Sequence, residues 1–463
     1  MRYEFMTVPT ETYGRISNFR PAILNGLRTM ETTPHLGDPF FEGHHQLFAP
    51  RVGFAWDVFG TGKTAIRSGF GMFYDQIESE FRFLTASNPP FFGLRQVDNP
   101  PFPLGFSGSA GTAPAPSVDG IEFNVRVPTR LQHSFNIQQQ LTANTVFNIG
   151  YVGAHSYHLS RGSDGNSAVP QFLPGGGVFY PAVAPRKNPE LSGSRLMTFN
   201  GDAYYNALQM DVVQRLTRGL RFKVSFTYSK NMDNASSIDS PGAAGNSNTS
   251  QDPEDTKAER SLSAFDIRRN LVMNFTYDLP GSPFSGAAGK LLGGWRLGAI
   301  TTLADGNPFS ALTGFNQSRD RARMVADRPS LAPSASLSPI EGVTSGCAGI
   351  SNGEKLGTPD RWFDPCAFVL PEAGFYGNVG RNTIIGPGFA NVDLTLDKST
   401  TITERLRMNF RAEFFNILNH ANFGLPTNIV FTNATGVRRG SAGRLNATAA
   451  TSRQIQFGAK LTF

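Results

Sequence analysis

Segments of about nine to twelve residues that alternate apolar and polar side chains, connections that alternate short and long, and charges kept to one face together predict an all-β protein: an antiparallel, up-and-down transmembrane barrel. A period of two sends successive side chains to opposite faces of a strand. About eleven such segments can be read in the 463 residues. Their length exceeds the usual five or six residues of soluble sheets and matches a tilted crossing of a bilayer.

Taken in order, "RVGFAWDVF" (51–59) places Val52, Phe54, Trp56 and Val58 on one face, and "GTGK" turns it into 64–75 with Ile66, Phe70, Met72 and Tyr74. "LQHSFNIQQQL" (131–141) turns through "TANT" into "VFNIGYVG" (146–153), with Phe147, Ile149 and Tyr151 on the apolar face. Leu208, Met210, Val212 and Leu216 oppose Gln209, Asp211 and Arg215, and "TRG" (217–219) makes a tight turn into "LRFKVSFTYS". There Leu220, Phe222, Val224, Phe226 and Tyr228 face one way; Arg221, Lys223, Ser225 and Thr227 face the other. "LVMNFTYDL" presents Leu271, Met273, Phe275, Tyr277 and Leu279, and a Pro/Gly-rich connection leads to Trp295, Leu297 and Ala299. Val392, Leu394 and Leu396 pair through "STTIT" with Leu406, Met408, Phe410, Ala412 and Phe414. The last segment, "RQIQFGAKLTF", alternates up to the final Phe463.

Short turns fall near residues 60, 143, 218, 287 and 401, and long loops cover about 6–50, 76–129, 155–203, 231–266, 305–388 and 417–452. Antiparallel neighbours then gather all short turns at one end of the sheet and all long loops at the other, the asymmetry of an outer-membrane barrel. Five or more loops of this length are foreign to a compact soluble domain. A cation at the lipid midplane costs roughly 2–4 kcal/mol. In this register Arg51, Arg67, Arg215, Arg221, Lys223, Arg296, Arg407, Arg411 and Lys460 lie on the polar face, with Asp57, Asp211, Asp278, Asp393 and Glu413. His133, Gln139 and Gln214 are the chief polar exceptions on the apolar face.

Composition agrees. Charged residues are 17% of the chain, and Gly (49) and Pro (31) are too frequent for long helices to dominate. No apolar run is long enough for a transmembrane helix, and the mean hydropathy of −0.24 is compatible with strands that are apolar only on alternate residues. The net charge of +6 comes from scattered basic residues, not from blocks, which excludes nucleic acid as an expected partner. Cys347 and Cys366 form a candidate disulfide in a Gly/Pro-rich stretch.

Motifs that suggest chemistry fall away on inspection. "GTGKT" (60–64) lacks the upstream glycine of a phosphate loop, since position 57 is Asp, and it joins strand to strand. His35, His44 and His45 have no regular ligand spacing, and Asp233, Asp239, Asp252, Glu254 and Asp255 lack that of a calcium loop. There is no G-x-S-x-G elbow and no H-E-x-x-H, so no enzymatic activity, metal or cofactor is expected. Tyr74, Tyr151, Tyr228, Trp56 and Trp295 read as interface girdle residues.

"RVGFAWDVFGTGKTAIRSGFGMFYDQ", "SFTYSKNMDNASS", the terminal "RQIQFGAKLTF" and above all "RNTIIGPGFANVDLTLDKSTTITERLRMNFRAEFFNILNHANFG" resemble the C-terminal part of TonB-dependent outer-membrane receptors of the Oar-like type common in Acidobacteria. The resemblance covers nearly the whole chain. It implies a Gram-negative outer-membrane location, a parent barrel of about 22 strands with a plug and a signal peptide, and binding of an unidentified solute at the long loops. Neither plug nor signal is read here, and "MRYEF" resembles the tail of a barrel strand, which brings the count to about twelve. The expectation is therefore that residues 1–463 are the C-terminal half of a barrel, coupled to TonB only through a plug elsewhere. Phe222, Val224, Phe226, Tyr228, Leu271, Met273, Phe275, Tyr277, Met408 and Phe410 are expected to face membrane lipid; Arg221, Lys223, Arg407, Arg411 and Glu413 are expected to face the lumen. Phe463, with Leu461 and Phe457, resembles the signal read by the barrel-assembly machinery. The alternatives are a self-standing porin of about twelve strands and a surface adhesion scaffold.

Overall fold

The computed structural model describes residues 2–77, 85–94, 97, 114–236, 250–252, 254–281, 286–322 and 327–463. Apart from two short flanking strands, Asp119–Ile121 (parallel to its neighbour) and Ser261–Leu262, the main sheet of the described residues consists of eleven antiparallel strands in chain order: β1 (Arg51–Asp57), β2 (Thr64–Tyr74), β3 (Thr129–Gln140), β4 (Thr145–Asp164), β5 (Arg195–Thr217), β6 (Leu220–Asp233), β7 (Arg269–Asp278), β8 (Trp295–Ala304), β9 (Phe389–Thr401), β10 (Arg407–Phe415) and β11 (Gln454–Thr462). Each pairs with its neighbours in sequence, so the sheet is an up-and-down meander with β1 and β11 at its edges. Arg2–Met6 pairs antiparallel with His44–Ala49, the segment that runs into β1 through Pro50.

Local chemistry explains the turns. In the first, Gly62 donates its backbone N–H to Asp57 Oδ2 (2.7 Å), so the residue that breaks the phosphate-loop pattern caps a hairpin. The β5–β6 turn has Arg218 and Gly219 at φ of 49° and 83°, the left-handed pair that a two-residue hairpin requires. The β7–β8 connection is longer and carries a short helix, α1 (Gly286–Leu292).

Two features differ from the expected pattern. β4 and β5 run for 20 and 23 residues, so the connection between them is 165–194, not 155–203. The hydrogen-bond ladder continues beyond the last alternating residues, so the sequence signal ends before the strand does. The second is the place of the protein's buried core. Phe309, Phe363, Phe368, Val379, Ile384, Val430 and Phe431 are buried together, and they come from the β8–β9 and β10–β11 connections, not from the sheet. A second cluster, with Ile16, Phe40, Phe41, Ile121 and Val125, joins the connections before β1 and between β2 and β3 to the upper end of β5. The sheet itself leaves Val52, Phe54, Trp56, Phe457 and Leu461 at least half exposed.

Candidate functional site

The sheet register sorts side chains into two opposed surfaces. On the polar one, Asp278, Arg296, Asp397 and Arg411 stand directly across from one another on β7 to β10. Arg296 pairs with Asp278, and Arg411 reaches Asp397 (3.6 Å) and Glu413 (3.0 Å). Asp278, Arg296, Asp397 and Arg411, with Asn409 and Lys460, line a depression of about 850 Å³. Farther along the same surface Lys223 lies 3.7 Å from Asp211, while Arg221 stands opposite Thr276 and Arg407 opposite Thr401 and Thr462. Alternating signs across β7 to β10 let neighbouring charges on this wall pair with one another.

The other surface is apolar. Phe222 faces Phe275, Val224 faces Met273 and Phe226 faces Leu271 across β6 and β7, with Tyr228 and Tyr277 at either end of the row. On β10 and β11, Met408 faces Leu461, Phe410 faces Ala459, and the Phe410 and Phe457 rings stack 6.3 Å apart. Phe463 is 95% exposed. The polar exceptions are paired: Thr64 donates to Gln139 (2.8 Å), Thr145 to Gln214 (2.5 Å), and His133 packs against Tyr151. Lys398 also lies on this surface, in register with Trp295 and Phe410, which the sequence reading overlooked. Its Nζ donates to the carbonyls of Lys290 (2.8 Å) and Gly293 (2.6 Å) at the C-terminal end of α1, and it sits over the Trp295 ring. A cation there satisfies helix carbonyls that have no partner of their own.

The connections above the sheet are tied together by buried charge. Arg328 donates to both carboxylate oxygens of Glu259 (3.0 and 2.9 Å) and to the Val379 carbonyl. Arg381 bonds the Asp233 carboxylate and carbonyl, the Glu259 carbonyl (3.2 Å) and Ser236 Oγ (2.9 Å). Arg381 and Glu259 are essentially inaccessible to solvent. No periodicity announces such a network, although Arg381 opens the stretch that carries the strongest family resemblance. Cys347 and Cys366 are disulfide-bonded, joining the hairpin Val343–Cys347/Ile350–Lys355 to the turn Pro365–Ala367. Nearby, the Tyr376 hydroxyl donates to Asp320 (3.1 Å) and lies 3.2 Å from that of Tyr180, and burial raises the pKa of both phenols. Burial, reinforced by the Asp320 carboxylate, pushes Asp327 up to about 6.

Among the described residues no group of three His, Cys, Asp or Glu side chains is arranged to hold a metal. His44 is bonded to the Val125 carbonyl, His45 stacks on Phe5, and His35 pairs with Glu31. Asp239 of the acidic loop lies outside the described residues.

The sheet, its two surfaces and its long connections define an outer-membrane barrel domain. The sequence profile of the outer membrane beta barrel domain family matches residues 1–456, and the chain belongs to that family, which places it in the Gram-negative outer membrane. No curated protein matches the sequence. Among solved structures it is similar to the outer membrane transporter YddB from Escherichia coli (12% identity, TM-score 0.47, 91% of this chain and 41% of that one). It is also similar to the FrpB iron transporter from Neisseria meningitidis (10%, 0.42, 94% and 41%) and to BauA, the ferric preacinetobactin receptor from Acinetobacter baumannii (9%, 0.37, 90% and 36%). The chain thus spans about two fifths of the length of these proteins.

Proposed function

We propose that the chain forms the wall and the extracellular loops of a TonB-dependent outer-membrane receptor of the Oar-like type, which binds a solute at the loops and passes it along a polar lumen. One observation carries the membrane part of this reading: the hydrophobic clusters buried from solvent lie in the connections and the loop end of β5, while the apolar face of the regular sheet leaves large side chains such as Val52, Phe54, Trp56, Tyr228, Phe457 and Leu461 exposed. In water that face would be a severe liability; in hydrocarbon it is the favoured contact. Phe222, Val224, Phe226, Tyr228, Leu271, Met273, Phe275, Tyr277, Met408 and Phe410 then face lipid, and Arg221, Lys223, Arg407, Arg411 and Glu413 face the lumen. Phe463, Leu461 and Phe457 present the terminal strand to the barrel-assembly machinery. The receptor part rests on the sequence resemblance. The wall and loops make or break no covalent bond, and TonB acts in such receptors on a plug, a domain distinct from them.

Orientation is tested with single cysteines in intact cells. Glu341→Cys, in the β8–β9 connection, is expected to react with a membrane-impermeant maleimide from outside, and Ala143→Cys, in the β3–β4 turn, only after permeabilisation. The opposite pattern overturns the assignment of loops to the outside. Conductance in planar bilayers separates receptor from porin: a steady, uniform open pore from the chain alone would establish a diffusion porin.

A further inference from the structure

At the long-loop end of the apolar surface the wall is notched. The cavity, of about 540 Å³, has Phe226, Leu271, Leu303 and Ala390 as its floor, one residue from each of β6 to β9 in direct register, and Trp362 and Phe423 of the connections as its roof. The Trp362 indole N–H is taken by the Ile385 carbonyl (2.8 Å), so the notch meets the ring and not the donor. Arg269 and Asp305 stand at its edge, bonded through Nε (2.8 Å) and Nη2 (3.0 Å) of the guanidinium. Arg269 is nevertheless two-thirds exposed, and among the described residues Asp305 takes only its Nε and Nη2, which leaves the Nη1 edge for a further acceptor.

We propose that this notch is a lipid site: it takes one acyl chain of a phosphate-bearing membrane lipid, whose phosphate bonds the free edge of Arg269. The volume lies within the range of small-molecule pockets, roughly 300–1,000 Å³, and the floor is continuous with the apolar face. A chain entering from the bilayer crosses no polar barrier. A guanidinium placed where that face ends meets a lipid phosphate at head-group depth, and the adjacent carboxylate suits a head group that also carries an ammonium. The site rests on the outward reading of the apolar face given above.

The three tryptophans make both readings separable. Trp56→Phe/Trp295→Phe leaves Trp362 as the reporter in the notch; Trp295→Phe/Trp362→Phe leaves Trp56 on the open apolar face. The full chain is inserted into phosphatidylethanolamine/phosphatidylglycerol vesicles containing brominated acyl chains, and tryptophan quenching is measured. Both reporters are expected to be quenched. In the Trp362 background, Ala390→Phe, which fills the notch, is expected to abolish most of the quenching, and Arg269→Ala to weaken it about threefold, with Trp56 unaffected by either. Quenching of Trp56 without Trp362, or of Trp362 undiminished by Ala390→Phe, overturns the lipid site and leaves the membrane reading standing. Quenching of neither overturns the membrane reading, and the site with it.

Discussion

Asp327 shows how a single carboxyl can make the connections sensitive to pH. It accepts from the backbone N–H and the hydroxyl of Ser318 (2.6 and 3.1 Å), yet burial next to Asp320 raises it to about 6. An unfolded chain titrates this group near 3.9. Between the two values the folded protein binds the extra proton, so the stabilisation is full below about pH 4 and is lost as pH rises through about 6, by at most ~3 kcal/mol. Hydrogen-exchange protection factors of residues 313–322, corrected for the intrinsic pH dependence of exchange, are therefore expected to be higher at pH 4.5 than at pH 7.5, and Asp327→Asn should remove most of that difference. An unchanged pH response in the variant would sink the assignment. Lys398 gives the complementary lesson. Its parity on β9 put it on the apolar face, but only the position of α1 reveals the carbonyls that make a lysine acceptable there.

Among the elements, those with a period were legible and those without were not. The strands that alternate Phe, Leu, Val and Tyr with charged residues were readable because each crosses between a polar and an apolar environment. The upper thirds of β4 and β5, with "HSYHLSRGSD", leave that environment and lose the pattern while still pairing. The helix α1 is seven residues long, too short to display a helical period. Turn chemistry was read correctly in kind, and the β5–β6 turn offers a sharp check. A Cβ on Gly219 would come within 2.5 Å of the Asp278 carbonyl, whereas one on Gly60 meets open space. Both glycines have positive φ, so Gly60→Ala should cost roughly 1–2 kcal/mol for backbone strain alone, and Gly219→Ala distinctly more, as read by urea midpoints in detergent. The disulfide is a second element-scale restraint, spanning 19 residues. Replacing both cysteines by serine should destabilise that connection by about 3 kcal/mol and expose residues 343–367 to protease; unchanged protease resistance would show that the hairpin is held by its packing alone.

At the scale of the whole molecule, the two surfaces of the sheet predict opposite tolerance for the same substitution. Val224→Arg places a cation on the apolar face and should cost about 2–4 kcal/mol of insertion free energy. Ser225→Arg, one residue on, points to the polar face beside Asp211 and should cost little. Equal penalties would contradict the division of faces. The sequence could reveal that division because the membrane imposes it residue by residue. It could not reveal how the connections pack, since their contacts join residues far apart in the chain, as Arg381 and Asp233 do across 148 positions.

That last pairing has a consequence for how such a protein can diversify. Glu259 and Asp233 come from one side of β7, Arg328 and Arg381 from the connection that follows β8. Exchanging either connection for that of a relative would strand its opposite number as an unpaired charge in a dry interior, at several kcal/mol. The connections are thus not interchangeable cassettes. A graft that retains surface recognition must carry both halves of the network, and lineages that recombine here should inherit the two segments as a set.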